Sequence, residues 1–315
     1  MNSDIHNLLP GVKTNVSLAP HTTFNIGGAA RYFFIAKNIK DIIEAVSVAR
    51  KCKMPFFVLA GGSNVLISDK GFPGLVIKIQ ATSYKLQATR LYAEAGVSME
   101  TLVREIGKKG LAGLEWAGGL PGSVGGAVRG NAGAFGGEIK DSVISVAALD
   151  EKGNVKTLSK KQCMFSYRDS FFKKKNWIVL SATFQLQKGN KKKIQREAKE
   201  HIAYRKEKHP LEYPNAGSVF INCDFRKFSK ELREKLKDVV KTDPFPIVPT
   251  AYLISEAGLK GLRIGMAQVS EKHPNYVVNL GAARAKDVMR LIEKVKKEIK
   301  KKFSVALEQE IELVS

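Results

Sequence analysis

Apolar residues recur at helical spacing near the start of the chain, where Ile39, Ile42, Ile43, Val46 and Ala49 fall on one face of residues 39–53. Met54-Pro55 ends that helix, because proline has no N–H to continue the ladder and its ring clashes with the preceding turn. The run FFVLA (56–60) reads as a buried strand, and Gly61-Gly62-Ser63-Asn64 as the turn that leaves it. LVIKI (75–79) is a second such strand. LYAEAGV (91–97) alternates, with Leu91, Ala93, Ala95 and Val97 inward, and Ser98 is placed to cap a helix carrying Leu102, Val103 and Ile106. Strands are predicted again at 143–149 and 177–186, with a Gly-Asn turn at 153–154, and a helix over 194–206 leads to Pro210. Mixed α and β elements fill 215–300, including an amphipathic helix with Val288, Leu291, Ile292, Val295 and Ile299 as its apolar stripe. The segment VALEQEIELV (305–314) alternates strictly, with Val305, Leu307, Gln309, Ile311 and Leu313 on one face, and reads as a strand.

Residues 107–137 break this pattern. They hold 12 of the chain's 27 glycines, a density that predicts neither a regular helix nor a regular strand. Glycine lets the backbone approach a ligand closely, and successive backbone N–H groups then form concave nests for anions. Two segments suit that use, AGGSNVL (60–66) and GGLPGSVGGAVRGNAGAFGG (118–137). Neither contains GxGxxG or GxxxxGK[ST], so dinucleotide folds of the Rossmann type and P-loop enzymes are poorly supported. A tight turn accounts for the first segment; the second is better explained by a ligand carrying a pyrophosphate.

Composition narrows the classes. A chain of 315 residues with 44% hydrophobic residues suggests about two domains with ordinary cores. No apolar run approaches the ~20 residues needed to cross a bilayer. MNSDIHNLLPGVKTN, at the start, lacks the charged and apolar regions of a secretory signal, so a soluble cytoplasmic protein is expected. Cys52, Cys163 and Cys223 form no CxxC pair and no HExxH occurs, so no metal site is expected. The net charge of +22 raises the possibility of a nucleic-acid binder. The excess sits largely in lysine runs at 173–175, 191–193 and 296–302, with no interleaved aromatic residues to stack on bases. A solvated basic surface that gathers an anionic substrate is the better reading, and no nucleic-acid partner is expected.

Six segments together carry a resemblance. HTTFNIGG (21–28), AGGSNVLISDKGFPGLVI (60–77), GLEWAGGLPGSVGGAVRGNAGAFGGEI (113–139), YRDSFF (167–172), EYPNAGSVF (212–220) and LISEAGLKGLRIGMAQVSEKHPNYVVN (253–279) closely resemble the MurB, or UDP-N-acetylenolpyruvoylglucosamine reductase, family. They occur in the family's order and cover almost the whole chain, and EKHPNYVVN is similar to the shorter of its two types. The resemblance implies an α+β fold with two FAD-binding α/β subdomains of the vanillyl-alcohol-oxidase type, at 1–84 and 85–205. It implies a substrate-binding α/β domain at 206–302 and a C-terminal strand, 303–315, returning to the flavin region. Flavin oxidases of this fold often attach FAD through a Gly-Gly-His turn; here the turn is Gly61-Gly62-Ser63-Asn64, which argues against an oxidase and for non-covalent FAD.

The implied reaction belongs to peptidoglycan precursor synthesis, and through it to cell-wall formation, cell shape and division. Hydride from NADPH reaches, by way of FAD, the vinyl methylene carbon of UDP-N-acetylglucosamine enolpyruvate, giving UDP-N-acetylmuramate. By the same resemblance Arg168 is the catalytic arginine, whose planar charged fork suits a carboxylate or enolate. Ser218 is the proton donor and Glu310 the catalytic glutamate. On physical grounds a strained turn at Gly217 is expected to aim the serine, and burial to keep Glu310 protonated so that it donates to the enolate. The FAD contacts implied are Ala60, Gly61, Gly62, Ser63, Asn64, Val65, Pro121, Gly122, Ser123, Gly125, Gly126, Asn131, Gly133, Ala134 and Arg205. Lys208 and Asn222 match positions that meet the UDP portion, and His273 lines the substrate cleft. A monomer is expected.

Overall fold

The computed structural model describes residues 5–243 and 245–315, so the first four residues of the segment weighed as a leader lie outside the described residues. The chain forms two compact units, each assembled from separated pieces. The first comprises the chain up to Val16, Ala29–Gly61 and Phe72–Arg205; the second comprises Ser17–Gly28, Gly62–Gly71 and Lys206–Ser315.

Two sheets organise the first unit. Strands β1 (Lys13–Ser17), β2 (Ala29–Ala36), β3 (Phe56–Leu59) and β4 (Phe72–Ile79) form one in the order β1-β2-β4-β3, with β2 and β3 both parallel to β4. Helix α1 (Ile39–Lys51) starts at Asn38, whose side chain accepts from the Asp41 N–H, and buries Ile42, Ala45, Val46 and Ala49 against Leu75, Ile77 and Ile79. Each large aliphatic side chain so buried contributes roughly 1.5–3 kcal/mol. The second sheet holds β5 (Tyr84–Gln87), β6 (Arg90–Glu94), β7 (Val143–Leu149), β8 (Val155–Ser159) and β9 (Ile178–Gln185), in the order β8-β7-β9-β6-β5. All its neighbouring strands are antiparallel. Helix α2 (Met99–Lys108) is capped by Ser98, which accepts from the Thr101 N–H, and buries Leu102, Val103 and Ile106 as the spacing predicts.

The glycine-rich stretch departs from expectation. It contains a regular helix, α3 (Val124–Arg129), and three two-residue strand fragments, Leu111–Ala112, Gly133–Ala134 and Gly137–Glu138. The helix forms despite Gly125 and Gly126 because distant groups satisfy its first turn. The N–H of Val124 donates to the Val97 carbonyl, that of Gly125 to Ala95, and that of Gly126 to the Ser123 hydroxyl. Gly125 is required by packing, since a Cβ there would stand 2.8 Å from the Ala95 Cβ. Helix α4 (Lys191–Lys208) follows the second sheet.

In the second unit, β10 (Asn215–Ser218), β11 (Arg263–Ile264), β12 (Ala267–Val269) and β13 (Tyr276–Asn279) form an antiparallel sheet in the order β10-β13-β12-β11. Helices α5 (Thr250–Glu256) and α6 (Ala285–Phe303) share its core, to which α6 gives Val288, Leu291, Ile292, Val295 and Ile299. The Asp69 carboxylate accepts the first amides of α6, from Ala285 and Lys286.

The final segment is not the continuous strand that its alternation predicts. Val305, Leu307 and Ile311 are buried, but Leu313 is 45% exposed and Val314 only 5%, so the inward phase flips. The cause is a change of neighbour. Glu308–Glu310 lie antiparallel to Val219–Ile221, whereas β14 (Glu312–Val314) pairs in parallel with the short strand Val65–Ile67. Among the described residues no helix is long and apolar enough to cross a membrane.

Candidate functional site

In the first unit the two glycine segments meet at their turns. A Cβ on Gly61 would stand 2.8 Å from the Gly122 Cα and 3.4 Å from the Ser123 amide nitrogen. Ala60 and Gly61 leave the carboxyl end of β3, the usual place for a ligand beside a parallel sheet. Among the described residues, the amides of Gly61, Gly122 and Ser123 donate to no backbone carbonyl, whereas those of Val124 and Gly125 are engaged. The amides left open therefore lie at the turn before α3, which Pro121 introduces, rather than along the helix.

Gly126 tests whether FAD fits here. It is exposed, and a Cβ on it would meet only the Ser123 hydroxyl, at 3.8 Å. Glycine inside a helix costs about 1 kcal/mol relative to alanine. The protein supplies no packing reason for glycine at this position, and the open space beside the first turn of α3 would fit a bound FAD. By contrast, Gly133 and Gly137 answer to neighbouring side chains, since a Cβ would meet Glu138 at 2.6 Å or the Trp116 ring at 2.4 Å.

The Asn131 side chain is held by protein groups on three sides. The residue is fully buried, and its side chain is committed to the protein. Its Nδ2 donates to the Ser166 carbonyl at 2.9 Å and to Glu138 Oε2 at 3.2 Å, and its Oδ1 accepts from the Lys140 amide at 3.1 Å. This side chain ties the Gly137–Glu138 fragment to the turn Ser166–Asp169, whose two ends exchange backbone hydrogen bonds. Arg168 sits in that turn with φ of 56°, half-buried. Its Nη2 donates to the Gly133 carbonyl at 2.8 Å, beside Ala134, and its guanidinium lies 4.9 Å from the centre of the Tyr167 ring. Arg205 is buried on α4; its Nε donates to the Gly118 carbonyl, and its guanidinium lies 5.2 Å from the Phe135 ring, which stacks on His201.

In the second unit the structure brings Asn64, Ser218 and Glu310 together. Ser218 follows Gly217, which has φ of 75°, at an irregularity in the pairing of β10 with β13. A Cβ on Gly217 would meet nothing within 4 Å, so glycine is needed for backbone conformation and not for space. An L side chain would be strained at this φ, whereas glycine adopts it readily. The Glu310 amide donates to the Val219 carbonyl at 2.8 Å, next to Ser218. Asn64 grips the same segment from both sides of Ile311. Its Nδ2 donates to the Glu310 carbonyl at 3.1 Å, and its own carbonyl accepts from the Glu312 amide at 2.9 Å. Ser63 and Val65 flank it, and Gly62 is locked in place, since a Cβ there would stand 2.4 Å from the His21 carbonyl.

Two positioning residues here escape sequence reasoning. Thr23 donates its amide to Gly62 and its hydroxyl to the Asn215 carbonyl, at 2.7 Å, tying the turn to β10. Buried Asn275 exchanges hydrogen bonds with both backbone groups of Phe220. Both lie in motifs quoted above, but only the folded chain shows what they hold.

Three further candidates, Lys208, Asn222 and His273, belong to the same unit. Lys208 is exposed and pairs with Glu207 at 2.7 Å. Asn222 uses its Oδ1 to accept the Thr250 amide at the start of α5. His273 packs against Tyr276 and His209, whose Nδ1 lies 3.0 Å from the Tyr276 hydroxyl. Its own Nδ1 is buried without a hydrogen-bond partner among the described residues. Burial, with a smaller contribution from the Lys241 charge, pushes the His273 imidazole down to about 4, so the ring is neutral near pH 7.

Comparison with known proteins finds two family models in the chain. Residues 30–159 match the family model of an FAD binding domain, and residues 209–314 match that of the UDP-N-acetylenolpyruvoylglucosamine reductase C-terminal domain. The UDP-N-acetylenolpyruvoylglucosamine reductase of Lachnoclostridium phytofermentans is 39% identical over 309 residues, covering 96% of this chain and 93% of the relative. That of Caldanaerobacter subterraneus subsp. tengcongensis is 39% identical over 301 residues, covering 95% and 92%. The crystal structure of the Thermus caldophilus enzyme (MurB) superposes with a TM-score of 0.76 at 31% identity, covering 96% of this chain and 99% of that one.

Proposed function

Because the chain belongs to the UDP-N-acetylenolpyruvoylglucosamine reductase family and carries an FAD binding domain, we propose that it reduces UDP-N-acetylglucosamine enolpyruvate to UDP-N-acetylmuramate with NADPH, in the cytoplasm, as a step of peptidoglycan synthesis. FAD, bound without a covalent link, supplies the hydride relay between NADPH and the vinyl methylene carbon. The Gly61, Gly122 and Ser123 amides hold its pyrophosphate, and Gly126 leaves room for it. We take residues 1–84 and 85–205 as the FAD-binding subdomains, 206–302 as the substrate domain and 303–315 as the returning C-terminal segment, of which only Glu312–Val314 is regular strand; the division of the first unit into two sheets supports the first boundary.

The protein's own tasks are to hold the substrate carboxylate, stabilise the enolate and deliver a proton. Arg168, fixed through Gly133 and the Ser166–Asp169 turn, meets the carboxylate with its planar guanidinium fork. Ser218 Oγ gives its proton to the carbon next to the carboxylate. Glu310, protonated, donates to the enolate oxygen rather than repelling it. Lys208 and Asn222 meet the UDP portion, and His273 lines the substrate cleft. The enzyme acts as a monomer.

The observation that carries this reading is the 2.8 Å ladder bond from the Glu310 amide to the Val219 carbonyl, which fixes the proposed enolate stabiliser beside the proposed proton donor. The test is an anaerobic titration of purified protein. A flavin band near ~450 nm should bleach with NADPH and recover when the enolpyruvyl sugar nucleotide is added. Bleaching without recovery would keep the flavoprotein and discard the substrate. A denatured intact mass equal to protein plus flavin would refute non-covalent binding.

A further inference from the structure

Lys78 is a cation that the protein leaves uncompensated. It lies near the carboxyl end of β4, opposite Leu59 of β3. Phe34, Val58 and Ile77 face α1, so Lys78 and Leu59 take the other face of the sheet. Its ammonium donates to the Ala60 carbonyl at 2.5 Å, one residue before Gly61. Among the described residues it makes no ion pair. Burial alone lowers its pKa, so the charge is held at a cost that one carbonyl does not offset.

The open amides of Gly61, Gly122 and Ser123 gather at the same end of the sheet. Amides supply partial positive charge and geometry, whereas a pyrophosphate brings two full negative charges. We propose that Lys78 is the fixed counter-charge for the FAD pyrophosphate, and that by gripping the Ala60 carbonyl it also turns the Gly61 amide toward that group. Lysine suits the task because a compact ammonium can hold the carbonyl and a phosphate oxygen at once.

The inference rests on FAD being the ligand of the first unit, and binding to the apo-protein tests both. Flavin fluorescence gives the FAD dissociation constant without reference to turnover. Lys78→Gln keeps a donor for Ala60 and removes the charge; it should weaken FAD binding roughly tenfold or more, while Lys78→Arg stays within about threefold of the unsubstituted protein. Binding by Lys78→Gln within about threefold of the unsubstituted protein, or equal losses in both variants, overturns the inference. If Lys78→Gln does not fold, acetylation of the unsubstituted apo-protein decides the matter. FAD should shield Lys78 from the reagent, and equal labelling with and without FAD overturns the proposal. Failure of the unsubstituted apo-protein to bind FAD sinks the cofactor itself, an outcome distinct from tight binding that ignores residue 78.

Discussion

At the residue scale, two glycines of the second unit separate backbone strain from steric exclusion. Gly217 and Gly62 both have positive φ, yet a Cβ on Gly217 enters open space and one on Gly62 strikes the His21 carbonyl. Gly217→Ala should therefore cost only the conformational term, about 1–2 kcal/mol. Gly62→Ala should cost clearly more, because backbone must move. Urea denaturation of the two variants measures the difference, and equal losses would refute this account. Ser218→Ala removes the proposed proton donor beside Gly217. It should lower turnover by roughly 10²–10⁴-fold while flavin reduction by NADPH stays near normal in stopped flow. Parallel losses in both half-reactions would show that the serine serves the fold instead.

At the element scale, β14 joins distant pieces of one unit. Removing residues 312–315 takes away the parallel neighbour of Val65–Ile67 and the Asn64–Glu312 bond. Activity should be lost, with a fall of about 5 °C or more in melting temperature; an unchanged melting curve would contradict the pairing. Elements with a local signature were legible in the sequence. The stripe of α1, the Ser98 cap of α2 and the alternation through Val97 all reappear in the fold. Non-local causes were not legible. Helix α3 depends on carbonyls at Ala95 and Val97, and its glycines carry no pattern of their own. The phase flip after Ile311 follows from a change of neighbouring strand that a strictly alternating sequence does not reveal. Of the candidate site, residue types and motif order were legible from resemblance. The task of Asn131 was not, because a side chain's identity does not say which three groups it will bind.

At the scale of the whole molecule, acid should act through a histidine. With a folded pKa of about 4 against the ordinary 6.5, His273 is held neutral by burial. Above pH 6.5 the ring is neutral in both the folded and the unfolded chain and contributes no pH dependence. As pH falls, the unfolded chain takes up the proton first, and stability is lost until about pH 4, where the folded ring also protonates. The loss amounts to at most about 3 kcal/mol. His273→Gln should lose correspondingly less stability between pH 7 and pH 4.5 in denaturant titrations. Identical acid profiles for the two proteins would mean that the ring is not the buried group described.

The interleaving of the two units also sets a timetable for folding. Every segment of the first unit precedes residue 206, so its sheets can close while the rest of the chain is still being made. The second unit holds Ser17–Gly28 and Gly62–Gly71 in reserve until partners some 200 residues downstream emerge, and Val65–Ile67 finds its neighbour only at Glu312–Val314. Contacts of such sequence separation form slowly. The nascent chain thus carries a finished first unit and an unfinished second unit at the same time. Any factor that shields nascent chains has most to protect in the interval between those two events.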